Sequence, residues 1–148
     1  MMGMSREERR GFYIQKNIDY YINKFTKMQM SVSSVSWNWC AFLFSSYWLI
    51  YRKMYKEFAI VAALEVFIIP AAASLLEPLG SLTLLVSIFT GLFGNYLYMK
   101  HIDRLIDNEP VEEAMGLDEY RNKTGGTTYY VWIYLGIAAV INMVLPFA

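Results

Sequence analysis

Glu65 is the single ionisable Asp, Glu, Lys, Arg or His between Phe58 and Leu76. A carboxylate in so apolar a run is costly unless it is used or paired. Two chemistries suit it. It can carry a proton or a cation along a pathway. It can also stand protonated and hydrogen-bonded to Thr90 or Asn95, fixing how helices pack. No second ionisable group accompanies it, so packing is the plainer role. A second constellation is polar but uncharged: Thr83, Ser87, Gly91 and Asn95 recur at four-residue steps, with Gly94 beside them. Small residues at that spacing let helix backbones approach closely. They predict a packing ridge rather than a ligand groove, against Ala62, Ala72 and Ala73 or another copy of the chain. Gly136 and Asn142 repeat the pattern more weakly. A third group is basic. Trp48 is followed by Arg52, Lys53 and Lys56, a patch suited to anionic lipid headgroups at about 1 kcal/mol per charge. Its plainer role is anchoring at an interface.

Other chemistry has few residues to rest on. His101 stands alone, with no paired His spacing, and no GxSxG, P-loop or dinucleotide fingerprint occurs. The one cysteine, Cys40, excludes an internal disulfide framework and a Cys-rich metal site. No catalytic residue, metal or cofactor is expected, and the protein is read as a non-enzyme.

The elements that carry these groups follow from the distribution of charge. The chain has 148 residues, a one-domain length, with 13 Lys plus Arg against 13 Asp plus Glu. That balance argues against a nucleic-acid partner held by bulk basicity. Hydrophobic residues make up 56% and charged residues 18%, below the roughly 25% usual for soluble domains. Residues 79–99 and 128–148 contain no Asp, Glu, Lys, Arg or His. About 20 apolar residues are needed to cross about 30 Å of hydrocarbon. The expectation is therefore an all-α, polytopic integral membrane protein with three transmembrane helices at 57–77, 79–99 and 128–148. Pro70 would kink the first.

The remaining segments complete that expectation. Residues 1–36 form a cytoplasmic arm, amphipathic over 5–28 through Ile14, Ile18, Tyr21, Phe25 and Met28. The arm suits either a membrane surface or the protein's own cytoplasmic loop. Ser31 to Ser36 is a hinge, with Ser36 or Asn38 as N-cap of the next helix. Residues 37–56 form an interfacial or re-entrant helix with a basic end, or the start of a long bent helix that turns near Arg52–Lys56. Residues 100–127 form an acidic loop whose sign complements the arm. All cations lie in 6–27, 52–56 and 100–123, on one side if there are three spans. The positive-inside rule then predicts a multi-pass inner-membrane protein with its N-terminus cytoplasmic and its C-terminus outside. Tyr96, Tyr98, Tyr129, Tyr130, Trp132 and Tyr134 read as an aromatic belt.

One stretch is specific enough to compare. FYIQKNIDYYINKF followed by SWNWCAFLFSSYWLIYRKMY resembles a bacterial membrane-protein family known as domain-of-unknown-function family 2628. The matching positions are Asn38, Trp39, Ala41, Phe42, Phe44, Trp48, Tyr51, Arg52, Lys53, Met54 and Tyr55, with Gly94-Asn95-Tyr96 and Gly125-Gly126-Thr127 further on. Where such proteins often carry Gly-Pro before the Trp, this chain has Ser45-Ser46-Tyr47. The resemblance implies a small bacterial cytoplasmic-membrane protein and carries no activity with it. The functional expectation is an accessory or assembly subunit that binds membrane lipids, a membrane-protein partner or further copies of itself. The alternative is an oligomeric transporter or channel with Glu65 facing the pathway.

Overall fold

A computed structural model describes residues 3–68, 80–109 and 116–144. Among them are seven α-helices: α1 (Arg6–Ile14), α2 (Ile18–Met30), α3 (Trp39–Tyr51), α4 (Tyr55–Ala63), α5 (Gly80–Asp107), α6 (Leu117–Thr124) and α7 (Tyr130–Val144). A π-helical turn, Leu64–Ile68, continues α4. Pro70, Ala72, Ala73, Pro110, Glu112 and Glu113 lie outside the described residues, as do the side chains of Thr83 and Asn142.

Local chemistry sets the helix ends. Ser5 and Glu8 form a capping box at the start of α1. Gln15 and Asn17 take positive φ, so the amphipathic stretch at 5–28 breaks into two helices. Its apolar residues Ile14, Tyr21, Phe25 and Met28 are buried in the protein's own core. Asn38 caps α3, its side chain accepting the Ala41 N–H at 3.0 Å. Lys53 at φ 58° closes α3. The N–H groups of Lys53 and Met54 return to the carbonyls of Ile50 and Leu49, a Schellman arrangement that buries Met54 completely. The chain therefore turns at Arg52–Met54, between α3 and α4.

Helix α3 lies at the centre and packs on α5, α4 and α7, while α1 and α2 pack on α5 and α6 touches α1. The 31–36 segment is no free hinge. The Ser36 and Asn38 N–H groups donate to the Leu92 and Gly91 carbonyls at 2.9 and 2.8 Å. The α3–α5 contact is close because α5 has glycine there. A Cβ on Gly91 would stand 2.8 Å from Phe42 Cβ and one on Gly94 2.9 Å from Ala41 Cβ, whereas one on Gly136 of α7 meets nothing. Gly91 and Gly94 thus face α3. Replacing Gly91 with Ala is expected to destabilise by about 1–3 kcal/mol through overpacking. Gly136→Ala is expected to stabilise by up to about 1 kcal/mol from helix propensity. Urea unfolding of the two variants side by side checks the opposite signs.

The architecture corrects the three-span expectation. Among the described residues no helix is long and apolar enough to cross a membrane. Helix α4 runs nine residues before its π turn, and α7 runs 15, against the roughly 20 that a crossing needs. Helix α5 is 28 residues long, but its described residues are not apolar enough over a crossing length. Absence of charge was read as span length, whereas a crossing needs one helix that is both long and apolar, which none of the described helices is. The polytopic fold class, the transmembrane and integral-membrane description and the multi-pass inner-membrane placement with its in–out orientation are not supported by these helices. The all-helical character of the described residues stands.

Candidate functional site

A cluster of ion pairs lies where α1 meets the end of α5. Arg10, 2% exposed, grips Asp103 in a two-pronged bond of 2.9 and 3.0 Å and donates to Gln29 at 2.9 Å. Arg9 meets Glu109 at 2.7 Å, and Arg6 meets Asp107 at 3.3 Å. The Tyr13 hydroxyl also donates to Glu109 at 2.9 Å. Burial, aided by that carboxylate, pushes the Tyr13 phenol upward. These bonds tie α1 to the end of α5 and the residues that follow it. They are the structural form of the sign complementarity between arm and loop.

A second network is polar but neutral. Asn38 Nδ2 donates to Asn95 Oδ1 at 2.9 Å, and Asn95 Nδ2 reaches the Ser36 side chain at 3.1 Å. Thr90 donates to the Ala41 carbonyl at 3.0 Å. Glu65 bonds to neither Thr90 nor Asn95. Its carboxylate accepts the Ser45 hydroxyl at 3.1 Å. Ser45 interrupts α3 with φ 37° and ψ −112°, a region that favours glycine. The turn that a Gly-Pro pair would make is therefore present, held by a serine. Helix propensity normally ranks Gly about 1 kcal/mol below Ala. At this position the order is expected to invert, with Ser45→Gly more stable than Ser45→Ala by about 1 kcal/mol. Both variants lose the hydroxyl, so the difference in their thermal midpoints isolates the backbone.

The basic patch of the sequence is split between two cavities. Lys53 and Lys56 line one of about 420 Å³, with Glu57, His101, Arg104 and Lys123. Glu57 is paired with Arg104, and Lys53 donates to the Asn122 carbonyl at 2.6 Å. Burial lowers the Lys53 ammonium from its ordinary value. His101 is partly buried. Its Nε2 has no hydrogen-bond partner among the described residues, and burial lowers its imidazole to about 4.

Trp48 and Arg52 line the other cavity, of about 370 Å³, together with Tyr21, Cys40, Phe44, Trp132 and Leu135. Arg52 is 2% exposed. Its guanidinium stands 4.5 Å from the Tyr21 ring centre, 5.1 Å from Tyr98 and 5.6 Å from Tyr51. Cation–π contacts of this kind contribute about 0.5–2 kcal/mol each, more when dry. Tyr21 and Tyr98 carried no sign of this role in the sequence, because the cage is assembled from α2, α3 and α5. Trp132 was read as part of a belt, and it forms a wall of the cavity. Among the described residues no group of His, Cys, Asp and Glu could hold a metal.

The blocks that carry the family resemblance meet in space: Asn38 bonds Asn95, Gly94 seats Ala41 and Trp48, and Arg52 sits over Tyr98. Comparison with curated proteins and with solved structures finds no match for this chain. A family model does match, over residues 6–104, described as a protein of unknown function, DUF2628. Those residues span α1 to most of α5 and include both halves of the Arg10–Asp103 and Asn38–Asn95 pairs. The chain belongs to the DUF2628 family.

Proposed function

We propose that the protein is a non-enzymatic binding protein that takes lipid on its exposed apolar side chains. One observation carries this reading: large apolar side chains stand exposed on four different helices. Leu43 on α3 is 66% exposed, Ile60 on α4 64% and Trp132 on α7 72%, with Leu85 and Phe89 exposed on α5. Stable monomers in water rarely leave such patches larger than a few hundred Å². Helix α3 packs separately on α4, α5 and α7, and the exposed apolar residues are spread over these helices instead of lining one of them. A lipid phase can cover all of them at once. A protein partner, or a second copy, would cover one face. The non-enzymatic reading is supported by the tasks that the titratable groups already have, with Asp103, Glu109 and Glu57 in ion pairs and Glu65 on Ser45.

Flotation with phosphatidylcholine vesicles tests the proposal. The purified chain is expected to rise with the vesicles. Phe89→Lys with Trp132→Lys, two exposed positions, is expected to weaken that association at least about tenfold. A wild-type chain that stays in the lipid-free fraction as a monodisperse species would overturn the proposal. Its native mass would then show whether a second copy covers the apolar residues.

A further inference from the structure

Arg52 is a buried cation without a buried anion. It makes no ion pair among the described residues. Its Nη1 reaches only neutral oxygens, the Lys16 carbonyl at 3.3 Å and the Tyr98 hydroxyl at 3.4 Å. Its Nε has no hydrogen-bond partner among the described residues. Burial pushes the Tyr98 phenol up to about 12, so it stays neutral at physiological pH and supplies no counter-charge. A guanidinium remains charged in any protein, and buried charges are normally paired. The aromatic rings around it attract the cation but do not neutralise it.

The cavity beside Arg52 indicates what would complete it. Its volume of about 370 Å³ falls within the about 300–1,000 Å³ typical of small-molecule sites. The polar groups of its lining are Arg52, Asn17 and the phenols of Tyr21, Tyr47 and Tyr51. Along α3 the lining continues through Trp48 and Phe44 to Cys40, and Trp132 closes it from α7. Phe44 and Trp132 are also among the exposed apolar residues, so the cavity is continuous with the surface on which lipid is proposed to lie. Free phosphate would meet the cation but leave the apolar wall empty. A neutral lipid would meet the wall but leave the cation unpaired.

We propose that this cavity holds one anionic lipid, its phosphate paired with Arg52 and an acyl chain laid along Phe44, Trp48 and Trp132. The inference rests on the lipid-binding reading above and adds a headgroup preference to it. A guanidinium donates two parallel N–H bonds to phosphate oxygens. The neighbouring phenols can donate further bonds as neutral groups. The preference is therefore for net negative charge at the head, with the chain recognised by shape and apolarity alone.

The test is competition between phosphatidylglycerol and phosphatidylcholine in mixed micelles, with retained lipid counted by native mass measurement. One phosphatidylglycerol per chain is expected, preferred over phosphatidylcholine by about tenfold or more. Arg52→Gln is expected to abolish the preference. Because Arg52 also supports the fold, a second variant keeps the test decisive. Cys40→Trp, at an exposed position on the cavity wall, fills the far end and leaves the cage intact. It is expected to lose the retained lipid while still floating with phosphatidylcholine vesicles. Equal retention of both lipids by the wild type would overturn the inference, as would a Cys40→Trp chain that keeps its phosphatidylglycerol. Displacement of the lipid by millimolar inorganic phosphate would also overturn it, because the site would then read a free anion. Failure to float with any vesicle would instead remove the lipid-binding reading itself.

Discussion

Replacing Asp103 with Ala is expected to lower the free energy of unfolding by about 3–5 kcal/mol, the cost of leaving a buried charge without its partner. Arg10 is the charge that would be stranded. It is 2% exposed, and Asp103 accepts two of its three side-chain hydrogen bonds. Gln29 offers a neutral oxygen and cannot replace the carboxylate. The neighbouring Arg6–Asp107 pair provides the contrast. Both of its side chains are more than half exposed, and Asp107→Ala is expected to cost about 0–1 kcal/mol. Denaturant unfolding of the two variants would separate burial from mere ion pairing. Similar losses for both would mean that the Arg10 site is open to water.

The second large effect is a pH dependence centred on His101. Burial holds its imidazole at about 4 in the folded protein, against about 6.5 when unfolded. Between those values the unfolded chain binds a proton that the folded chain does not, so stability rises with pH across the window. The contribution is fully present above pH 6.5 and is lost as pH falls toward 4, on the order of 3 kcal/mol in all. Glu57 and Arg104 face the imidazole across the same cavity, Glu57 favouring the charged ring and Arg104 opposing it. Burial pushes the Glu57 carboxyl upward, but its bond to Arg104, a backbone N–H and the nearby positive charge together hold it below its ordinary value. His101→Leu is expected to remove the slope assigned to His101. Unfolding curves of wild type and variant at pH 7 and pH 4.5 check it. Parallel curves for the two proteins would show that the imidazole is solvated.

Particular residues show where sequence reasoning reached and where it stopped. The cap at Asn38 was legible, because an Asn just ahead of an apolar run has a local task. Close packing at Gly91 and Gly94 was legible as a need, but its partner was not. The spacing shows that some backbone approaches, and only the fold makes that backbone α3. The amphipathic stretch at 5–28 was legible as apolar on one side. Its break at Gln15 and Asn17 was not, because neither residue demands positive φ. The membrane spans failed for a related reason. A window without charge measures composition, whereas a crossing requires a single helix that is both long and apolar, and none of the described helices is. Glu65 was found by its isolation, yet its partner, Ser45, sits at a backbone distortion that no propensity marks.

What the sequence determined by itself is local or compositional: an all-helical tendency, a neutral chain with its cations gathered in three stretches, a capped central helix, and a block of residues specific enough to place the chain in its family. Tertiary structure alone decided which of those residues meet. It paired Arg10 with Asp103 across 93 positions, partly buried His101, and divided Arg52 from Lys53 so that they line different cavities. Capping and helix periodicity act within a few residues and leave their mark in the chain order. Ion pairing, desolvation and cavity shape depend on distances between segments far apart in sequence, and those distances exist only once the helices have packed.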